Sequence, residues 1–160
     1  MQCKDRLESY LRENTVPFEV QHHARVYTAQ EVAATEHVPG KVVAKVVVVQ
    51  ADDKMVMLAL PASYRVYESK LASVLGCREV RIAREDEFAS AFPDCEVGAM
   101  PPFGNLYGVP VVVDRSLAED DTIVVQAGTH TDTLSLKYAD FARLVNPTVA
   151  EFARYPSPTP

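Results

Sequence analysis

The chain has 160 residues, of which 48% are hydrophobic and 24% are charged, and its formal net charge is −6. This length can bury one real hydrophobic core, and the composition is that of an ordinary globular protein. The negative charge disfavours a broad nucleic-acid footprint, but a few cations suffice to contact only the end of a nucleic acid. No apolar run approaches the roughly 18 residues that span a bilayer, and the N-terminus lacks the pattern of a signal peptide. We therefore expect a cytoplasmic protein without a membrane partner.

Hydrophobic periodicity and turn residues divide the chain into alternating helices and strands. Thr28 and Glu31 have capping-box spacing, and Gly76 has the position of a helix-ending glycine. The valine run that begins at Lys45 predicts a central strand buried on both faces. The predicted helices cover residues 4–14, 28–37, 68–75, 84–92 and 138–145, with a last one at 147–154, and the predicted strands cover residues 18–20, 45–51, 55–60, 80–82, 110–114, 122–127 and 131–136.

The order of these elements predicts a single α/β domain. Hairpins and helical crossovers both occur, so we expect a curved mixed sheet flanked by helices. No internal repeat and no long linker divides the chain. The domain is expected to cover residues 1–154, and the proline-rich residues 155–160 are expected to form a flexible tail.

Residues 98–104 read Gly-Ala-Met-Pro-Pro-Phe-Gly, and we call them the glycine–proline loop. Proline fixes φ and lacks an N–H, whereas glycine lets a ligand approach the backbone closely. The loop is therefore stiff, and its remaining amides suit a carbonyl, an oxyanion or a phosphate. These amides belong to Ala99, Met100, Phe103 and Gly104. A purely structural turn between two strands is the alternative.

The cysteines and histidines lack the spacing of a metal site, so we expect no metal. Cys3, Cys77 and Cys95 are an odd, scattered set without a C-x-x-C motif, and we expect reduced thiols. The four histidines have no metal-ligand spacing either, and His22 and His23 would point to opposite faces of a strand.

Lys45 and His130 are the isolated candidates for a pocket. An ammonium at the head of the valine strand either binds an anion or is a solvated strand-end charge. His130 follows Gly128 in a glycine turn, and it either lines a pocket or is a surface polar residue. His130, Asp132 and Ser135 are not read as a hydrolase triad, because no G-x-S-x-G elbow is present. No Walker-type phosphate loop is present either.

Four stretches form a joint pattern whose order and spacing extend over most of the chain. They are Gly40-Lys41-Val42-Val43-Ala44-Lys45-Val46-Val47-Val48-Val49, residues 98–104 with the strand at 109–114, Ala127-Gly128-Thr129-His130 with residues 134–141, and Tyr27-Thr28-Ala29-Gln30-Glu31-Val32-Ala33. This pattern resembles the YbaK/prolyl-tRNA synthetase-associated domain family. In that family a lysine-bearing strand, a G-x-x-x-P-x-G loop, a glycine turn and a capped helix follow this layout.

The resemblance implies a function. Members of the family hydrolyse the ester of mischarged aminoacyl-tRNA, either inserted in prolyl-tRNA synthetases or as free-standing proteins. This chain has no room for a synthetase core and resembles the free-standing kind. The implied catalytic residues are Lys45, Gly98 and Ala99, without a protein nucleophile, metal or cofactor. The implied substrate-binding residues are Met100, Pro101, Pro102, Phe103, Gly104, Gly128, His130 and Val47.

The expected substrate is a small amino acid on tRNA, such as Cys-tRNA(Pro) or Ala-tRNA(Pro). Expected partners are the 3′ end of aminoacyl-tRNA and a synthetase, prolyl-tRNA synthetase among them. The chain departs from the family where many members have two glycines, at Gly98-Ala99, and where some have an acid, at Thr133. These departures affect substrate choice more than activity. The alternative is a non-catalytic module that binds aminoacyl-tRNA or a synthetase.

Overall fold

The computed structural model describes residues 2–155, so residues 156–160 of the expected tail lie outside the described residues. The helices in this range are α1 (Cys3–Glu13), α2 (Ala29–Thr35), α3 (Glu68–Leu75), α4 (Glu85–Phe88), α5 (Arg115–Ala118) and α6 (Tyr138–Val145), with 3₁₀ turns at Ala89–Ala91 and Gly104–Leu106. The strands are β1 (Glu19–His22), β2 (Val43–Ala51), β3 (Lys54–Pro61), β4 (Arg65–Val66), β5 (Val80–Ile82), β6 (Val111–Asp114), β7 (Thr122–Gln126), β8 (Asp132–Lys137), β9 (Thr148–Ala150) and β10 (Ala153–Arg154). None of these helices is both long and apolar enough to cross a membrane.

Eight strands form one mixed sheet, which confirms the predicted mixed α/β fold. Seven of them follow the order β1-β8-β7-β2-β3-β6-β9, and β5 pairs separately with β2. The β2–β3 and β7–β8 pairs are antiparallel, whereas β2–β7, β3–β6 and β6–β9 are parallel. The expected central hairpin of β2 and β3 is present and turns at Asp52, whose φ is 56°. Strands β4 and β10 form a separate antiparallel ribbon.

One face of the sheet carries the largest hydrophobic cluster. Successive side chains of a strand point to opposite faces, and Ala44 and Val48 of β2 point into this cluster. Leu7 and Leu11 on one side of α1 and Phe141 of α6 cover the same face. The helical spacing of these apolar residues therefore explains why α1 and α6 lie here.

The opposite face carries two smaller clusters with a seam between them. Val43 packs with α2, and Val49 packs around Leu71 of α3. The side chain of Lys45 points to the same face as these two valines, because the three residues are an even number of positions apart. Lys45 lies between the two valines along β2. Because α2 and α3 cover this face on either side, the half-buried lysine lies at the seam.

Three local predictions need correction. The predicted helix at 147–154 is wrong, because this segment forms β9 against β6 and β10 against β4. The Asp114 carboxylate accepts hydrogen bonds from the amides of Phe152 and Ala153, both at 2.9 Å. The predicted helix at 84–92 divides into α4 and a 3₁₀ turn. Helix α2 ends at Thr35, two residues before the predicted end at residue 37. His37 has a positive φ of 57°, which does not fit a helix.

The cysteine prediction is also wrong. Cys3 at the start of α1 and Cys95 form a disulfide with 4.9 Å between their Cα atoms. The Cys3 amide donates to the carbonyl of Asp94 at 3.0 Å, and Arg6 donates to the Asp94 carboxylate at 2.8 Å. Tertiary contact between α1 and the segment before the glycine–proline loop brings the two thiols together. Their separation of 92 positions gives no such indication in the sequence.

Candidate active site

A gap beside the central strand opens the candidate site. Residues 43–44 of β2 pair with β7, and residues 49–51 pair with β5 on the same side. Between these pairings that edge of β2 has no neighbouring strand among the described residues. The Val48 carbonyl on this edge accepts a hydrogen bond from the Ala83 amide at 2.9 Å. Backbone groups two residues apart share an edge, so the amide and carbonyl of Val46 face the gap.

A cavity of about 400 Å³ lies at this gap. It brings together Lys45 of β2 and Gly98 of the glycine–proline loop, which are far apart in the chain. The other lining residues come from the start of α2, from β2 and β7, and from the segment after β3. They are Tyr27, Thr28, Ala29, Gln30, Val46, Ala62, Tyr64, Arg65 and Gln126.

Lys45 is a half-buried cation next to a second cation. Burial removes water from its ammonium, and the positive charge of Arg65 adds to the effect, so the pKa of Lys45 is lowered below its ordinary value. Within residues 2–155 no carboxylate lies within 4.0 Å of the Lys45 ammonium or of the Arg65 guanidinium. The cavity therefore has an unneutralised positive wall, which suits a phosphate or an oxyanion.

Gly98 is held in a conformation that a side chain would strain. Its φ is +86°, and a Cβ atom there would lie 3.6 Å from Cε1 of His130. Glycine adopts positive φ without a steric penalty, so the sequence allows the loop to turn at this point. The turn brings the backbone of Gly98 to the cavity wall.

Backbone hydrogen bonds tie the loop to the glycine turn at Gly128. Gly128 donates to the Ala99 carbonyl at 2.9 Å, and Glu96 donates to the Gly128 carbonyl at 2.8 Å. Gly128 has φ +97°, and a Cβ atom there would lie 2.6 Å from the sulfur of Cys3. Hence Gly128 acts in packing and in loop support, and it is not among the residues that line the cavity in the described structure.

The amides of the loop are not all available to a ligand, which corrects the expectation that the Ala99 amide is among the donors. The Ala99 amide donates to the Glu96 carbonyl at 3.0 Å, so it is occupied. The amides of Gly98 and Met100 have no acceptor among residues 2–155. Gly98 therefore replaces Ala99 as the amide best placed to meet a ligand.

The rest of the loop lies in the protein interior. Met100 and Phe103 belong to the large core cluster, and the Phe103 ring packs edge-on against Phe141 with 5.3 Å between centroids. A Cβ atom at Gly104 would lie 2.3 Å from the Val109 carbonyl oxygen, so glycine is required there by packing. Pro101 and Pro102 are buried as well. These five residues lie behind the cavity wall and stiffen it.

His130 supports the wall from the side. Its amide donates to the Glu96 carboxylate at 2.7 Å, and its Nε2 lies 2.8 Å from the Val97 carbonyl oxygen. The His130 amide, with Arg25, lowers the pKa of Glu96. The ring of Tyr27, which is 65% exposed, packs on His130 with 4.8 Å between centroids. His130 therefore fixes Gly98 on one side and Tyr27 on the other.

Val47 and four unpredicted residues complete the arrangement. Val47 packs against the α3 cluster on the face of Lys45, beside the cavity. Of the residues that line the cavity, sequence reasoning selected Lys45 and Gly98. Those that it did not select as site residues include Tyr27, Tyr64, Arg65 and Gln126. Thr28 caps α2 as predicted, and Tyr27 immediately precedes this capping box. The capping box is therefore the local signal that could have indicated Tyr27.

Comparisons with known proteins agree with this architecture. Residues 23–144 match the family model described as the aminoacyl-tRNA editing domain. The chain belongs to the aminoacyl-tRNA editing domain family. The resemblance found in the sequence is thereby confirmed, and the matched range of this editing domain contains Lys45, the glycine–proline loop and Gly128.

Among curated relatives, the editing domain is similar to parts of two proline–tRNA ligases. It is 33% identical over 92 residues to the enzyme of Thiobacillus denitrificans and 29% identical over 89 residues to that of Bacillus cytotoxicus. The matches cover 57% and 56% of this chain but only 16% of each ligase.

Solved structures share the fold over nearly their whole length. The hypothetical protein APE2540 has a TM-score of 0.83 at 19% identity, with 92% of this chain and 99% of that chain covered. The crystal structure of "a putative trans-editing enzyme for prolyl tRNA synthetase" has a TM-score of 0.82 at 17% identity, with 96% and 98% covered. At these identities the likeness concerns the fold.

Proposed function

We propose that this editing domain is a trans-editing aminoacyl-tRNA deacylase that hydrolyses the ester of a small amino acid on the wrong tRNA, such as Cys-tRNA(Pro) or Ala-tRNA(Pro). The observation that carries the proposal is the shared cavity of Lys45 and Gly98. An unpaired cation and an amide without an acceptor meet there, and both suit an ester next to a phosphate. The similarity to parts of proline–tRNA ligases supports tRNA(Pro) as the nucleic acid.

In the mechanism that we propose, the 3′ end of the tRNA enters the cavity. The ester carbonyl accepts from the amide of Gly98, which lines the cavity. Water adds to the carbonyl carbon, and the same amide stabilises the oxyanion that forms. The ribose oxygen then leaves and takes up a proton, which releases the amino acid and the tRNA. Lys45 binds the terminal phosphate or the ribose and keeps the ester aligned.

The threonine hydroxyl at the cavity fits a reaction without a protein nucleophile. The hydroxyl of Thr28 accepts from the Glu31 amide at 3.1 Å and donates to the Glu31 carboxylate at 3.0 Å, so it is engaged in the cap. Water, or a group of the substrate itself, is therefore the attacking group in the proposal.

Selectivity in the proposal comes from the size of the cavity. Its volume of about 400 Å³ is near the lower end of small-molecule sites, which are roughly 300–1,000 Å³. One methylene group discriminates by only about 1–3 kcal/mol, so larger amino acids must be excluded sterically. The ring of Tyr27 and the side chain of Gln126 are the walls that we expect to set this limit, because both line the cavity.

The test is a panel of charged tRNAs incubated with the protein in the cytoplasmic pH range. Cys-tRNA(Pro), Ala-tRNA(Pro), Ser-tRNA(Pro) and correctly charged Pro-tRNA(Pro) are followed by loss of the labelled ester, each against a protein-free blank. We expect faster loss than the blank for one or more of the mischarged tRNAs, with Pro-tRNA(Pro) spared. Binding of these tRNAs without ester loss would overturn the proposal in favour of the non-catalytic module. Adding prolyl-tRNA synthetase tests whether that enzyme is a partner.

A further inference from the structure

Two arginines lie directly opposite each other on the ribbon next to the cavity. Strands β4 and β10 are antiparallel, and their register places Arg154 across from Arg65. Side chains at directly opposed positions share a face with Cβ atoms roughly 4.5–5.5 Å apart, and like charges there repel each other. A ribbon of two residues per strand gains little by itself, so this repulsion is an unusual feature to build into it.

Neither arginine is neutralised by the protein. Within residues 2–155, seven arginines have a carboxylate within 4.0 Å, and they are Arg6, Arg12, Arg25, Arg81, Arg84, Arg115 and Arg143. Arg65, Arg78 and Arg154 have none in the same range, although the chain carries a net charge of −6. Of these three, Arg65 and Arg154 are the pair that lies on strands β4 and β10.

Aromatic rings separate the cations on this surface. The Arg154 guanidinium stacks over the ring of Tyr67 at 3.6 Å from the centroid, and the Lys70 ammonium lies 5.6 Å from the same centroid. Tyr64 packs edge-on against Tyr155 with 5.7 Å between centroids. Tyr155 is 64% exposed, so its ring is open to a flat partner.

This surface is continuous with the cavity. Tyr64 and Arg65 line the cavity that contains Lys45. Tyr64 also lines a neighbouring cleft of about 210 Å³, together with Tyr67, Lys70 and Arg154. The same cleft is also lined by Asp114, Glu119 and Glu151, so a phosphate is expected on the side of the cations. We name the five residues Tyr64, Arg65, Tyr67, Lys70 and Arg154 the arginine ribbon, which includes residues beyond the two strands β4 and β10. This surface leads from the mouth of the cavity to the C-terminal segment of the described chain.

We propose that the arginine ribbon binds the single-stranded nucleotides that precede the aminoacylated nucleotide at the 3′ end of tRNA. Interleaved cations and aromatic rings are the chemistry that binds single strands, because phosphates meet the cations and bases stack on the rings. A phosphate between Arg65 and Arg154 would remove their mutual repulsion. This inference deepens the proposed function and rests on it, because it assigns the cavity to the esterified nucleotide and the ribbon to its neighbours.

The test compares two double variants with the same change in net charge. Arg65→Gln/Arg154→Gln neutralises the ribbon. Arg12→Gln/Arg143→Gln removes two exposed arginines from α1 and α6, which cover the other face of the sheet. Binding of uncharged tRNA and of a single-stranded RNA ending in CCA is measured by fluorescence anisotropy over a range of salt concentrations, after circular dichroism has verified folding.

For the ribbon variant we expect a loss of affinity of roughly 10- to 100-fold, and a salt dependence whose slope is smaller by about 0.7, since the two arginines share one phosphate and each phosphate contact to a single strand contributes about 0.7. The α1 and α6 variant should bind within about threefold of the wild type. Equal losses of RNA affinity in both variants would show that net charge alone explains the effect, and would overturn the inference. Equal binding of a blunt RNA duplex, or equally effective competition by inorganic polyphosphate, would overturn the single-strand assignment.

Failure of this inference differs from failure of the proposed function. If the wild type removes the ester and the ribbon variant binds RNA normally, the ribbon assignment is wrong and the deacylase proposal stands. If CCA-ending RNA binds through the ribbon and no charged tRNA is hydrolysed, the deacylase proposal is wrong.

Discussion

The two walls of the cavity are built in opposite ways. The loop wall, formed by Gly98 and the segments that support it, is tied by backbone hydrogen bonds to Gly128 and by the disulfide of Cys3 and Cys95. The strand wall, formed by Lys45 and Arg65, carries two cations without a carboxylate within 4.0 Å in residues 2–155. The loop wall is fixed in position by the protein, whereas the charges of the strand wall are left for a ligand to neutralise.

This difference indicates how such a site can recognise an ester at the end of a nucleic acid. An oxyanion donor is effective when it is fixed in advance, because no reorganisation is then needed during the reaction. A buried cation without a partner lowers stability, and an incoming phosphate removes that cost. The loop wall should therefore govern the geometry of the reaction and stability, and the strand wall should govern substrate engagement. The following changes test that division, from the largest expected effect to the smallest.

Removing the cation of the strand wall should have the largest effect. For Lys45→Ala we expect kcat/KM for ester hydrolysis to fall roughly 10³-fold, or about 4 kcal/mol, because the ester is no longer aligned. Stability should change little or rise, since a half-buried charge is removed. Deacylation kinetics and urea unfolding measure both quantities. Lys54→Ala, at the exposed start of β3, is the matched control. Full turnover in Lys45→Ala would remove this lysine from the mechanism.

Opening the disulfide of the loop wall should lower stability by about 3 kcal/mol, since a cross-link over a long loop typically contributes 2–4 kcal/mol. The change is Cys3→Ser, measured by urea unfolding without reductant, with Cys77→Ser as the control because Cys77 is free. Adding a reductant should bring the wild type to the level of Cys3→Ser and leave Cys3→Ser unchanged. Identical unfolding midpoints for wild type and Cys3→Ser would show that the hydrogen bonds alone hold this wall.

A side chain at Gly98 should separate stability from activity. Gly98→Ala and Gly76→Ala both place a Cβ at positive φ, +86° and +67°, so each should lose about 1–2 kcal/mol of stability. Gly76 ends α3 and does not line the cavity in the described structure. Only Gly98→Ala should also slow deacylation, by roughly 10- to 100-fold, because the amide moves. Equal deacylation by the two variants would contradict a catalytic role for the Gly98 amide.

Much of the fold could be predicted from sequence because its signals are local. The hairpin of β2 and β3, the capping box at Thr28 and the full extent of α6 follow from alternation, side-chain caps and helical spacing. The elements that were missed depend on distant partners. Strands β9 and β10 exist through pairing with β6 and β4 and through the Asp114 carboxylate, and the disulfide joins two segments that only the tertiary fold brings together.

The candidate site divides in the same manner. Lys45 and Gly98 are distinctive in their own segments, so sequence could select both before any geometry was known. Arg65, Tyr64 and Gln126 come to the cavity through the tertiary fold. No local pattern in the sequence indicates the gap where β2 changes its neighbour from β7 to β5. The same limit applies to the Ala99 amide, which only the structure shows to be occupied by the Glu96 carbonyl.

The smallest expected effect concerns the coupling within the strand wall. Burial, and then the charge of Arg65, lower the pKa of Lys45, so Arg65→Gln should move that pKa upward toward its ordinary value of 10.5 without reaching it. Between the lowered pKa and 10.5 the folded protein binds fewer protons at Lys45 than the unfolded chain does. Lys45 therefore makes the free energy of unfolding rise with pH in that window. Arg65→Gln should narrow this pH window, because it brings the pKa of Lys45 closer to 10.5.

The measurement is a ¹³C NMR titration of the lysine Cε resonances, with the Lys45 signal assigned by its absence in Lys45→Ala. Arg81→Gln is the control, since Arg81 lies on exposed β5 and pairs with Glu87. A Lys45 titration that is unchanged by Arg65→Gln would mean that burial alone sets its pKa. The two cations would then be independent, and the strand wall would bind its ligand through one charge at a time rather than through a coupled pair.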